Sequence, residues 1–185
     1  MKTRCDWANS NELEKLYHDN EWGKPTYDDH KLFEFIILEG QQAGLSWDII
    51  LKRREKLREA YLDFNPHLLK DITDAELEKY LKDDRVIKNK LKIHAVRENA
   101  KAFLKIVDEF GSFSNYIWAY FNHQPIVNHW KNIKEVPATT PLSDLISKDL
   151  KKRGFKFIGS TIIYSFMQAC GMVNDHVETC YLHQK

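Results

Sequence analysis

Apolar residues recur at helical spacing through most of the chain, and no stretch of strand length alternates apolar with polar at period two. The longest series, Leu91, Ile93, Val96, Ala100, Phe103, Leu104 and Val107, starts at Asn89 and is stopped by Gly111. A helix buries one stripe and must pack it on another element, so this periodicity predicts an all-α fold of helices on helices. The chain has 185 residues, 43% of them hydrophobic, with seven glycines and five prolines. That is enough apolar material for a packed core and excludes the fibrous and disordered classes.

Local signals divide the pattern. Tyr27-Asp28-Asp29 precede a mostly buried helix carrying Leu32, Phe33, Phe35, Ile36, Ile37 and Leu38 and running to about Gln42. Ser46 is the expected N-cap of a second helix, with Ile49, Ile50, Leu57 and Tyr61 facing inward and Lys52, Arg53 and Arg54 facing water. Asn65-Pro66 breaks the chain, and Thr73-Asp74-Ala75-Glu76 has the form of a capping box. The stretch from Asp83 to Lys90 then joins that short helix to the long one as a tight, basic turn. Ser112 to Phe121 reads as an aromatic helix, Asn122 to Pro141 as loop and Leu142 to Arg153 as helix; a last apolar helix runs from Gly159-Ser160-Thr161 to Cys170. No linker composition marks a boundary, so residues 1–185 are expected to form a single domain of two helical lobes.

Lys and Arg number 28 against 27 Asp and Glu, so overall charge does not point to a polyanion and any such case rests on local patches. No apolar run approaches the roughly 18 residues needed to cross a bilayer, and Met1 to Cys5 lacks the apolar stretch of a signal peptide. A cytoplasmic protein without a membrane partner is expected. Three cysteines without an export signal argue for reduced thiols or metal ligation. Cys5 and His18 lie near one end, and His176 and Cys180, three residues between them, near the other. Taken singly, each is more often an ordinary core or surface residue. Together they make a two-Cys, two-His set suited to tetrahedral zinc, with the His-x-x-x-Cys pair presented from successive turns of one helix end. Four protein ligands leave no open position, so such an ion would be structural and would staple the two ends of the chain.

Two strings concentrate unusual chemistry: Tyr17-His18-Asp19-Asn20-Glu21-Trp22-Gly23, and Leu38-Glu39-Gly40-Gln41-Gln42-Ala43-Gly44-Leu45-Ser46-Trp47. Glu39 falls at the end of an otherwise apolar helix face. There it is either exposed at the helix end or, if buried, in need of a polar partner.

These strings, with Lys151 to Gly159, Tyr164 to Gly171 and Asn174 to His176, resemble the 3-methyladenine DNA glycosylase I family, and the resemblance spans nearly the whole chain. It implies a helix-hairpin-helix DNA glycosylase fold that hydrolyses the N-glycosidic bond of 3-methyladenine in alkylated double-stranded DNA, without lyase activity, and a monomer is the default. It implies one structural zinc on Cys5, His18, His176 and Cys180. Tyr17 and Trp47 would sandwich the flipped base, Trp7 and Trp22 would wall the pocket, and Glu39 would hydrogen-bond the base edge, with Glu39 and Tyr17 the catalytic pair. The hairpin would fall in the segment from Arg85 to Lys105, where seven basic residues face one acid, Glu98. Lys88, Asn89 and Lys90 there, and Lys156 in the strip from Lys151, are the candidate phosphate contacts, with Gly44 and Leu45 as the wedge turn. The hairpin turn lacks the glycine common in such elements. Glu14 stands where the family carries an aromatic, which leaves open an alternative: a zinc-stabilised module that binds damaged DNA with altered catalysis.

Overall fold

The computed structural model describes residues 2–184. They form α1 (Glu12–Asn20), α2 (Asp29–Gln42), α3 (Trp47–Ala60), α4 (Pro66–Leu69), α5 (Asp74–Tyr80), α6 (Lys90–Phe110), α7 (Phe113–Ala119), β1 (Ile126–Val127), α8 (Pro141–Lys152), α9 (Ser160–Ala169) and β2 (Val173–Asn174). α2 sets the arrangement. Its residues from Leu32 to Gln41 are all buried, and a helix covered on every side belongs at the centre of a stack. α3, α6, α7 and α9 pack against it, and α8 packs on α9.

The helix starts are chemically marked as the sequence predicts. Ser46 accepts from the Ile49 N–H, Thr73 and Glu76 form a reciprocal capping box, and Asn89 accepts from the Lys92 N–H. Asp29, in the first turn of α2, also accepts from the N–H groups of Phe113 and Ser114, fastening the start of α7 to the central helix. α5, the turn 81–89 and α6 follow one another as the expected helical hairpin.

Four expectations are corrected. α1 is a helix where only a cluster of aromatic and charged residues was evident. The mostly helical fold includes a two-residue parallel pairing, Ile126 with Val173 and Val127 with Asn174, too short for any periodicity to reveal. Ile49 is exposed instead of facing inward. Arg54 is buried instead of facing water, because it lies between the carboxylates of Glu21 and Glu34. A buried guanidinium is tolerated only when paired in this way.

The C-terminal segment is threaded against the chain near α1. Gly23 N–H donates to the Gln168 carbonyl and Thr26 N–H to that of Cys170. At Gly171, with φ +66°, a Cβ would collide with the backbone of Lys24 and Pro25. Only glycine permits that crossing. No helix among the described residues is long and apolar enough to cross a membrane.

Candidate functional site

Tyr17, Trp22, Glu39 and Trp47, with Trp7, line one cavity of about 370 Å³ at the meeting of α1, α2, α3 and α9. The five pocket residues expected from sequence are thus brought together. Their rings touch in a continuous chain: Trp7 lies 5.1 Å from Trp22 and 6.4 Å from Tyr17, and Tyr17 lies 5.5 Å from Trp47. The Tyr17 and Trp47 planes are inclined at 45°. A base stacked on both would need them roughly 7 Å apart, twice an ordinary carbon contact. As placed, the two rings close the slot on each other, and Trp47, which is half-buried, must swing to admit a base between them.

Two tethers fix this wall. Arg54 of α3 grips Glu21 with both terminal nitrogens at 2.8 and 2.9 Å and Glu34 through Nε at 2.8 Å, holding the turn that carries Trp22. At the start of α1, Asn11 accepts from the Glu14 N–H while its amide donates to Asp48, the neighbour of Trp47. The tips of α1 and α3 are thereby locked together across the pocket.

Glu39 is buried at 4% exposure on the pocket side of α2. The polar partner expected for it is not there: burial alone, with no charge or hydrogen bond opposing it, pushes its carboxyl up to about 8. Its ionised form is thus disfavoured as it stands, and it gains most from a ligand that brings positive charge or a hydrogen-bond donor. Burial also drives the Tyr17 phenol well above its ordinary range, with Glu39 adding to the effect, so Tyr17 is a neutral ring.

The turn after α2 is held in shape by groups that sequence reading assigned elsewhere. Gly44 sits at φ +77°, and the Gln42 side chain donates to the Leu45 carbonyl at 2.7 Å. Lys92, counted among the basic residues of the hairpin segment, is buried and donates to the carbonyls of Gln41 at 2.8 Å and Ala43 at 2.5 Å. It caps the carbonyl end of α2 from the first turn of α6 and is not exposed for a phosphate. Leu45 shares a surface groove with Ile49, Val86, Ile87 and Lys88, so the wedge candidate and the hairpin turn lie side by side.

The hairpin's charge is less free than its sequence implies. Lys88 pairs with Asp84 at 2.6 Å, Lys90 with Glu78 at 2.7 Å and Arg97 with Asp74 at 2.8 Å. Asn89 spends its side chain on the cap of α6. Lys156 is exposed, on a loop held by two hydrogen bonds between its backbone and the Asn99 amide.

Cys5, His18, His176 and Cys180 meet, all buried, with one ligand atom from each lying within 4.8 Å of the others. His176 and Cys180 are not at a helix end as expected; they lie in the irregular segment after β2, turned back by the Cys180 N–H donating to Val177 O. The ring nitrogens that do not face the group are engaged: His18 Nδ1 lies 2.9 Å from Asp19, which Arg4 grips, and His176 Nε2 lies 3.2 Å from the Trp22 carbonyl. Such outer contacts fix the tautomer of a ligating histidine. Burial pushes the Cys5 thiol up to about 12 and His176 down to about 4. Both therefore favour uncharged forms, and a divalent cation would reverse that preference for the thiol. Gly23 makes room for the cluster, since a Cβ there would fall 2.8 Å from His176 Nε2.

Sequence reading missed Gln42, Ile133, Ser165 and Gln168 in the pocket lining, whereas Glu14, singled out as a departure from the family that alters the pocket wall, does lie in it. Gln168 lies inside a string already singled out, but its role depends on Asp175, which accepts from Gln168, Tyr164, Asn128 and Trp130 and so orients the amide. No local pattern signals that hub.

Comparison with known proteins agrees with this architecture. The chain is 48% identical over 177 residues to DNA-3-methyladenine glycosylase 1 of Escherichia coli K12, covering 96% of this chain and 95% of that one. It is 46% identical over 180 residues to DNA-3-methyladenine glycosylase of Haemophilus influenzae, covering 97% of each. The solved structure of 3-methyladenine DNA glycosylase I from Staphylococcus aureus, described for its recognition of 3-methyladenine, superposes with a TM-score of 0.95 at 33% identity, covering 98% of this chain and 97% of that one. The sequence model of the methyladenine glycosylase family matches residues 7–183, and the chain belongs to that family.

Proposed function

We propose that the chain is a DNA-3-methyladenine glycosylase, a single helical domain acting as a cytoplasmic monomer on alkylated double-stranded DNA. The carrying observation is the aromatic cavity with the buried carboxyl of Glu39 in its wall. Methylation at N3 makes adenine a cation while it is still attached to the sugar. The glycosidic C–N bond breaks with its electron pair going to the base, which leaves neutral; water adds to the sugar carbon and loses a proton to solvent. Tyr17 and Trp47 stack on the cationic ring and Trp7 and Trp22 complete the wall. Glu39 accepts from the exocyclic amine, selecting and orienting the base more than protonating it. No lysine lines the cavity, which supports hydrolysis without a Schiff base and without strand cleavage.

The base reaches the cavity by rotating out of the duplex, at a cost of a few kcal/mol. Leu45 is the side chain proposed to fill the gap, with Gly44 giving the turn its conformation. Lys88, Lys90 and Lys156, and the helix start at Asn89, are proposed to meet phosphates, the lysines exchanging their acidic partners for DNA.

We assign zinc to the Cys5, His18, His176 and Cys180 group. Zn–S bonds of ~2.3 Å and Zn–N bonds of ~2.05 Å at tetrahedral angles put sulfur and nitrogen about 3.6 Å apart. Three of the four S···N distances here are 3.7, 3.5 and 3.5 Å. Four protein ligands leave no position for water, so the ion supplies cross-linking and no step of the hydrolysis.

Incubation with methylated duplex DNA tests the reading. Release of free 3-methyladenine is expected; binding without release would make the protein a damage-binding module instead.

A further inference from the structure

The cavity contains a second carboxylate that the mechanism above does not use. Glu14 is the third residue of α1, its backbone pinned by Asn11, which also holds Asp48 beside Trp47. It lines the same cavity as Glu39. Its Oε2 is buried with no hydrogen-bond partner, and among the described residues its carboxylate enters no ion pair. Trp47, across the same cavity, has its indole N–H buried and equally without an acceptor. An orphaned buried acceptor loses on the order of 1–3 kcal/mol, and more when charged, unless something completes it. No lysine or arginine lines the cavity to do so. A ligand in the cavity can complete both: a donor or positive charge for Glu14 and an acceptor for Trp47, which one purine ring can present together, displacing whatever solvent met them before.

We propose that Glu14 is a specificity-determining residue of this pocket, a carboxylate that senses the positive charge of an alkylated purine and shifts the pocket's preference from the neutral base toward the cationic one. The inference rests on the cavity being the base pocket. Its consequence is directional: the base is cationic while joined to the sugar and neutral once cut, so Glu14 strengthens the hold on substrate and not on product.

Two free ligands separate these states. 3,9-Dimethyladeninium is a fixed cation with a methyl group where the sugar would be, and 3-methyladenine is the neutral product. Titration of each into the full chain, followed by tryptophan fluorescence, gives the ratio of the two affinities for the unmodified protein. E14Q keeps the shape and removes the charge. It is expected to weaken the cation by about tenfold or more, the size of a lost charged hydrogen bond, and 3-methyladenine by less than about twofold. E14A should shift the ratio in the same direction, which keeps the test decisive should either variant fold poorly. Equal losses for both ligands, or an unchanged ratio, would overturn the role of Glu14 while leaving the pocket in place. Failure of the unmodified protein to bind either ligand would instead remove the base-pocket reading itself.

Discussion

Glu39 shows how much a single buried group can decide. Its carboxyl rises from 4.5 to about 8 through burial alone. The folded state then keeps a proton that the unfolded chain releases above about pH 4.5, so this group's contribution is present at low pH and is lost as pH rises toward 8. The shift of about 3.5 units corresponds to an upper value of roughly 5 kcal/mol. E39Q should therefore be more stable than the unmodified protein at pH 8, with the difference shrinking toward pH 5. His18 and His176, lowered by burial, act in the opposite sense as pH falls, but they are common to both proteins and cancel in the difference. Urea unfolding at pH 5, 6.5 and 8 measures it, and parallel pH profiles would mean that Glu39 does not hold its proton in the fold. The same variant keeps an acceptor but cannot ionise as the cationic base docks, and it should excise 3-methyladenine at least about tenfold more slowly, the size of a lost charged hydrogen bond. Helix and metal content should stay unchanged; undiminished excision would remove Glu39 from the mechanism.

At the scale of elements, the junction of α2 with α6 couples the hairpin to the pocket. Lys92 holds the carbonyls of Gln41 and Ala43 just before the Gly44-Leu45 turn, and the Gln41 amide returns a bond to the Lys92 carbonyl. K92M keeps the stem and removes the ammonium, leaving two carbonyls uncapped at about 1–3 kcal/mol. A wedge matters only where a base must leave a stack. The variant should lose about tenfold or more in excision from duplex DNA and much less from single-stranded alkylated DNA; equal losses would show that Lys92 does not act through the turn. This junction also marks the limit of what the sequence shows. The starts of α3, α5 and α6 are legible because Ser46, Thr73 and Asn89 act on their own next turns. α1 is not, because Leu13 and Leu16 are exposed and its buried face is made of Tyr17 and His18, site residues instead of aliphatics. Lys92 and Arg54 look like solvent-facing cations because their partners, the end of α2 and the Glu21–Glu34 pair, are distant in sequence. Tyr17, Trp22, Glu39 and Trp47 are readable within two strings and the four Cys and His residues from their spacing, whereas the Glu14 orphan and the Asp175 hub exist only once α1 and the C-terminal segment have docked.

Across the whole molecule, the Cys/His group and the aromatic cavity share a wall. Trp22 packs edge-on against the His176 ring at 4.7 Å and its carbonyl lies 3.2 Å from His176 Nε2, while Trp7 packs against both His18 and Trp22. Both tryptophans also line the cavity. An ion on these four side chains would therefore join segments 171 residues apart and at the same time hold one side of the cavity upright. Stripping the ion with a chelator should lower stability by about 4 kcal/mol, the range seen when a buried cross-link is lost, and so lower Tm by roughly 8–16 °C. Below the new Tm the helices should persist, but binding of 3-methyladenine should weaken because Trp7 and Trp22 lose their backing. Zinc added back should restore both properties together. A hydrolytic ion would behave differently: chelation would stop excision while Tm and base binding stayed where they were, and that result would take the metal out of the scaffold and put it into the chemistry.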